Sequence, residues 1–247
     1  MCDLAETAPG TGWRGWNTSD AVRAMDAGGD WIDLTWPLSP SVPRLGVFPP
    51  PRIELIASIP DRPLNVSELS MVVHTGTHVD SPRHFFSDGP ALEDVPLTRL
   101  MGTGVVWSID VRLEGLIELE TLERMRPRAE PGDIVLLDTG IAKHLGTPDY
   151  DRHASLSVGA AQWFVDRGVK LLAMDVLTPE LSIGRRPAEG FDYPIHRTLL
   201  RDGVLIAESV ANARSLAGGR ADFLFLPLNI VGGDGAPARV LGRPVRD

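Results

Sequence analysis

Short apolar runs bounded by Gly, Pro and charged residues recur along the chain and read as strands. They are WIDLTWPL (Trp31 to Leu38), GVVWSIDV, DIVLLDTGI, VKLLAMDV (Val169 to Val176), VLIAES, FLFLPLNI and RVLGRPV. The segment from Leu69 to Asp80 is also β-like, rich in Val and Thr. Between these runs lie helical patterns. SVGAAQWFVDRG is capped by Ser157 and closed by Gly168, SVANARSLAGG follows VLIAES, and TSDAVRAMDAGG near the N-terminus has Thr18 or Ser19 as N-cap and Gly28 near its end. A helix followed at once by an apolar strand points to a packed α/β unit. The expected architecture is mixed α/β, α+β in detail: one domain over residues 30–247 with a curved mixed, barrel-like sheet surrounded by short helices. Residues 1–29 are expected to form an N-terminal extension with a short helix. The Pro-rich stretch SPSVPRLGVFPPP can continue neither strand nor helix, so it is a surface loop or a pocket wall.

Composition narrows the partners. The chain has 247 residues, 43% of them hydrophobic, and a net charge of −9 without Lys/Arg clusters, which argues against nucleic acid. No apolar run approaches the roughly 20 residues of a membrane helix, and the N-terminus lacks the basic start and apolar stretch of a signal peptide. A cytoplasmic protein is expected. The single cysteine, Cys2, rules out a disulfide framework or a thiolate zinc site within one chain. GTGWRG fits GxGxxG on paper but precedes the first strand, so it fails as a dinucleotide site. GGDGAP reads as a tight turn, no GxSxG elbow is present, and His144 and His153 carry no assigned role.

Three of the six histidines, His74, His78 and His84, lie within eleven residues, with Asp80 among them. Neutral imidazoles and carboxylates are the ligands that gather around a borderline divalent cation. The composition around Gly76 opposes a helix. On a strand, His74, Gly76, His78 and Asp80 share a face, but a flat strand would hold His74 and His78 roughly 13 Å apart at Cα. The chain must bend, and Gly76 permits it. Pro82 then turns the chain so that His84 can return. Burying two histidines and an aspartate unpaired would be costly, which favours a metal site.

HTGTHVDSPRHF closely resembles the HxGTHxDxPxHF signature of the cyclase family of metal-dependent hydrolases, which includes bacterial kynurenine formamidases (arylformamidases) and isatin hydrolases. The resemblance runs from about Trp31 to Arg243. It implies that His74, His78 and Asp80 are ligands of a first metal. It also implies that His196 and Glu208 complete a second site bridged by Asp80, and that His84 is the catalytic proton carrier. The ion is expected to be Zn or Mn, one or two per subunit, with no other cofactor. The implied activity is hydrolysis of an amide-type C–N bond, in an aryl formamide or a cyclic amide, with water acidified by the ion. Trp36, Phe48, Phe85, Phe191 and Tyr193 are candidate walls for a planar small molecule. The chain departs from the formamidases after SPSVP, where RLGVFPP replaces a Trp-Pro-Gly-Asp-like stretch, so the substrate itself is not carried over. The alternatives are a lactone hydrolase, a cyclase or dehydratase on the same metal site, and a metal-stabilised binding protein without turnover. The resemblance also implies a homodimer or homotetramer.

Overall fold

The runs IVLLD, LLAM and LIAE are apolar at nearly every position, the pattern of strands covered on both faces. In the computed structural model, which describes residues 31–245, they form the centre of the sheet. The elements follow in order as β1 (Ile32–Asp33), the hairpin β2 (Arg52–Ala57) and β3 (Val66–Ser70), then β4 (His78–Asp80), α1 (Leu97–Leu100) and β5 (Met101–Ser108). Next come β6 (Leu116–Ile117), α2 (Leu119–Arg124), β7 (Ile134–Asp138), β8 (Ser155–Leu156), α3 (Val158–Asp166) and β9 (Leu171–Met174). The chain ends with α4 (Pro194–Arg201), β10 (Leu205–Glu208), β11 (Arg220–Pro227) and β12 (Gly235–Pro244).

The main sheet runs β1-β12-β11-β5-β7-β9-β10-β4, and β4 also pairs with β12. That second pairing closes seven strands into a barrel, with β1 appended outside the ring. β5, β7, β9 and β10 are parallel, whereas β11, β12 and β4 are antiparallel to their neighbours. Alternate residues of the parallel strands go to two cores. Val106, Ile134, Leu136, Leu171, Ala173, Leu205 and Ala207 pack with Val79, Phe223, Phe225 and Val240. Val105, Trp107, Val135, Leu137, Leu172 and Met174 pack instead against Ala160, Ala161 and Phe164 of α3 and Ile195 and Leu199 of α4. α3 begins at Ser157, whose hydroxyl accepts from the Ala160 N–H at 3.1 Å. The chain then turns back through Gly168 at φ 72°.

Several local expectations are corrected. Trp31 to Leu38 is a strand only at Ile32–Asp33. Beyond it the chain stays tied to β12 through Leu34 N–H to Val240 O and the Thr35 hydroxyl to Val240. Leu69 to Asp80 is not one β segment: strand ends at Ser70, residues 73–77 are bends, and strand resumes at His78. SVANARSLAGG forms a single 3-10 turn, Ala213–Leu216. Ser209 and Asn212 both adopt φ 53°, which prevents helix continuation across them. GGDGAPA is a turn only in its first half, because β12 already begins at Gly235. The helix expected over TSDAVRAMDAGG lies outside the described residues.

Gly104 on β5 sits where a Cβ would stand 1.8 Å from the Ile134 carbonyl oxygen of β7. Gly104→Ala therefore forces two central strands apart. It is expected to cost about 3 kcal/mol or more of stability in denaturant titration.

Candidate metal centre

β4 is three residues long and hydrogen-bonded on both sides, by β10 and by β12. The bend before it is made by Gly76 at φ 67°, whose N–H donates to the Pro43 carbonyl. A Cβ there would also meet Val42 Cγ2 at 2.8 Å, so glycine is required twice over. The bend returns His74 to the face of β4 that carries His78 and Asp80. The 3-10 turn Pro82–His84 brings His84 to the same place, its ring stacked on that of His74 with centroids 3.9 Å apart. Glu208, the last residue of β10, lies opposite His78 in the ladder. His196 comes from the first turn of α4.

His78, Asp80, His196 and Glu208 are all buried. Asp80 uses both oxygens: Oδ1 is 2.8 Å from His74 Nδ1 and 3.4 Å from His78 Nε2, while Oδ2 is 3.6 Å from His196 Nε2. Glu208 also faces two histidines, with His78 Nε2 at 3.3 Å and His196 Nε2 at 3.2 Å. His78 Nε2 and Asp80 Oδ2 nevertheless make no hydrogen bond of good geometry. Sealed polar atoms that converge without bonding one another are what a bound cation would satisfy. Among the described residues, His74, His78 and Asp80 form one group with metal-ligand spacing. Two more are His74, His84 and Asp234, and Asp80, His84 and His196.

The surroundings orient the imidazoles. His78 Nδ1 lies 2.8 Å from the Gly76 carbonyl, a bond that places the proton on Nδ1 and leaves the Nε2 lone pair directed at the cluster. His196 Nδ1 lies 2.9 Å from Glu180 Oε1, with the same effect. The same Glu180 oxygen accepts the backbone N–H groups of Ile195 and His196 at 2.9 and 2.8 Å, so one buried carboxylate holds both the ring and the start of α4. His74 bridges Asp80 and Asp234, with Nε2 2.9 Å from Asp234 Oδ2.

Proton affinities follow from this crowding. Burial opposes charge on His74, but the Asp80 charge and hydrogen bonds to Asp234 and Asp80 outweigh it and raise the pKa to about 9. Burial likewise opposes charge on His78, yet the Asp80 and Glu208 carboxylates close to its Nε2 lift it to about 10. Asp234 is drawn down to about 2, chiefly by its bond to His74. His84 is the exception: burial dominates and lowers it, so the ring is neutral at pH 7 and able to accept a proton.

The structure brings His74, His78, Asp80, His84, His196 and Glu208 together. Glu180 and Asp234 join the cluster without any local sign in the sequence. Nothing in TPELS marks Glu180, and Asp234 lies inside the GGDGAP turn. A cavity of about 280 Å³ opens beside the cluster, and Phe48, Phe85 and Tyr193 are on its wall. Phe191 lies behind Tyr193, ring to ring at 4.9 Å. Trp36 lines a different groove, with Thr75, Gly76 and Leu228. His153, expected in a polar loop, is buried, with Nδ1 2.9 Å from the Ala154 carbonyl.

A closed mixed barrel with a buried histidine–carboxylate cluster at one strand end defines the class of protein, one built to hold a divalent metal. The Cyclase family model matches residues 32–180, and the chain belongs to that family. It is 27% identical over 222 residues to a kynurenine formamidase of Bacillus anthracis, covering 87% of this chain and 98% of that protein. A Bacillus cereus kynurenine formamidase is 28% identical over 225 residues with the same coverage. Among solved structures, a protein of Bacillus stearothermophilus described as a predicted metal-dependent hydrolase is similar at TM-score 0.71 and 28% identity, covering 87% of this chain and 98% of that one. Isatin hydrolase A of Labrenzia aggregata shares the fold at TM-score 0.78 and 24% identity, covering 88% and 94%.

Asp234→Asn removes the charge that helps hold the proton on His74. In metal-free protein, the NMR titration midpoint of His74 is expected to fall from about 9 toward the ordinary value. The sign is that of a raised folded-state pKa. The stabilisation is complete below the unfolded histidine value and is lost as pH rises through about 9. In the variant, the loss of stability with rising pH should therefore begin earlier.

Proposed function

We propose that the chain is a metal-dependent hydrolase that cleaves an amide-type C–N bond in a small molecule, an aryl formamide or a cyclic amide. The observation that carries this is the buried cluster of His78, Asp80, His196 and Glu208, with His78 Nε2 and Asp80 Oδ2 left without a hydrogen bond, placed against a cavity walled by Phe48, Phe85 and Tyr193. In this reading His74, His78 and Asp80 hold one ion, and His196 and Glu208 hold a second that shares Asp80. The use of one Asp80 oxygen by each group supports the sharing. All-nitrogen and oxygen donors suit Zn or Mn.

When bound, such an ion polarises a carbonyl and acidifies water. The rest of the work falls to side chains. His84 is neutral, partly exposed at the cavity and stacked on His74, so it takes a proton from the attacking water and returns it to the leaving nitrogen. Phe85 and Tyr193 offer flat faces that orient an aromatic ring. Asp234, 3.5 Å from His84 Nδ1, steadies the imidazole once it carries the proton. No helix among the described residues is long and apolar enough to cross a membrane. Exposed Ile53, Leu55, Ile56 and Leu69 on the β2–β3 hairpin support a homodimer or homotetramer.

Dialysis against a chelator is expected to abolish hydrolysis of N-formylkynurenine, formanilide or isatin, and Zn or Mn to restore it. A metal-loaded protein inactive on all three would count against the reading. His84→Ala should retain its metal, measured by elemental analysis, and lose roughly 10²- to 10⁴-fold in kcat. Glu180→Gln should weaken metal affinity roughly 10- to 100-fold, by loss of its hold on His196. A competition titration with a chromophoric chelator reads that change.

A further inference from the structure

The cavity beside the metal cluster has one arginine or lysine among its lining residues, Arg186. The residue follows a 3-10 turn, Ile183–Arg185, and its Nε donates to the Leu181 carbonyl at 2.8 Å. Its guanidinium lies over two rings, 4.9 Å from the centroid of Phe191 and 5.2 Å from that of Tyr193. Stacking of this kind fixes the plane of the fork without using its N–H groups. Nη2 is sealed from water and has no hydrogen-bond partner. A buried guanidinium nitrogen left without an acceptor is costly.

Its position relative to the cluster is set by the same rings. Tyr193 lies 6.4 Å from His196, and Phe85 stands 5.5 Å from Tyr193 and 4.8 Å from His196. Arg186, Tyr193 and His196 line the same cavity, and Tyr193 lies close to both of the others. Tyr193 adopts φ 55°, which turns the chain between Arg186 and α4 so that both face the same cavity.

We propose that Arg186 is a specificity residue that binds a carboxylate on the substrate, at the end away from the scissile amide. The substrate class that fits is an aromatic amide carrying a carboxylate. Its amide lies at the cluster, its ring lies against Phe85 and Tyr193, and its anionic end lies on the guanidinium. This deepens the hydrolase reading above and rests on it. The two can be tested apart.

The test compares metal-loaded wild type, Arg186→Met and Arg186→Lys on N-formylkynurenine, which carries a carboxylate, and on formanilide, which does not. Arg186→Met is expected to raise KM for N-formylkynurenine roughly 10- to 100-fold with kcat little changed, while formanilide kinetics stay within about threefold. Arg186→Lys keeps the charge and should recover part of that KM. Equal effects on both substrates, or no effect on either, would overturn the proposal. If Arg186→Met fails to fold, Arg186→Lys alone must still show the carboxylate-selective rise. If wild type hydrolyses neither amide, the hydrolase reading fails, and calorimetry with kynurenine and its methyl ester decides the Arg186 assignment. A wild-type preference for the free acid that vanishes in the variant sustains it, and no preference overturns it.

Discussion

The constraint on which the rest depends is the burial of Asp80. The carboxylate is 1% exposed and sits on the shortest strand of the ring, the strand that closes the barrel by pairing with both β10 and β12. An ionised aspartate in that position is tolerable only among strong partners. Burial opposes its charge, yet His74, His196 and His78 hold it well below the ordinary carboxylate range. Barrel closure and the chemical centre are thus one structural event. The three residues that join the edges of the sheet also carry two of the groups that meet at the cluster.

This arrangement explains why support comes from so many elements. His74 is held by the loop before β12, through Asp234. His78 is held by the Gly76 carbonyl, and His196 by Glu180 on the loop after β9. Gly235 shows the same fit from the other side, since a Cβ there would lie 2.7 Å from the His74 ring. His74 and His196 are oriented by segments distant in sequence, so their geometry exists only when the barrel is complete. Histidines held in this way have one nitrogen of each ring fixed by the protein itself.

Legibility in the sequence followed the same division. The strands buried on both faces, Ile134–Asp138, Leu171–Met174 and Leu205–Glu208, stood out as apolar runs because their pattern is local. The Gly76 bend was legible because a straight strand could not bring His74 and His78 together. His196 and Glu208 came forward only through resemblance, since a lone histidine and a strand-end glutamate carry no local sign of convergence. Glu180 and Asp234 gave no signal at all, because their roles depend on contacts across 16 and 160 residues. The helix expected after β10 failed for a related reason. Its apolar residues Ala213 and Leu216 are held in the core by tertiary packing, while Ser209 and Asn212 take left-handed backbone that propensity does not reveal.

Chemistry and selectivity also occupy different parts of the fold. The clustered histidines and carboxylates stand on or beside β4, β10 and α4, with β4 and β10 locked by barrel hydrogen bonds. The cavity walls come largely from two loops, the Pro-rich segment that contributes Leu45, Val47 and Phe48 and the stretch that contributes Ile183, Arg186 and Tyr193. Loops accept sequence change that the strands cannot, because their backbone groups answer to few partners. The centre can therefore be kept while the pocket is rebuilt, and for that reason the motif on β4 points to a reaction class without naming the molecule on which it acts.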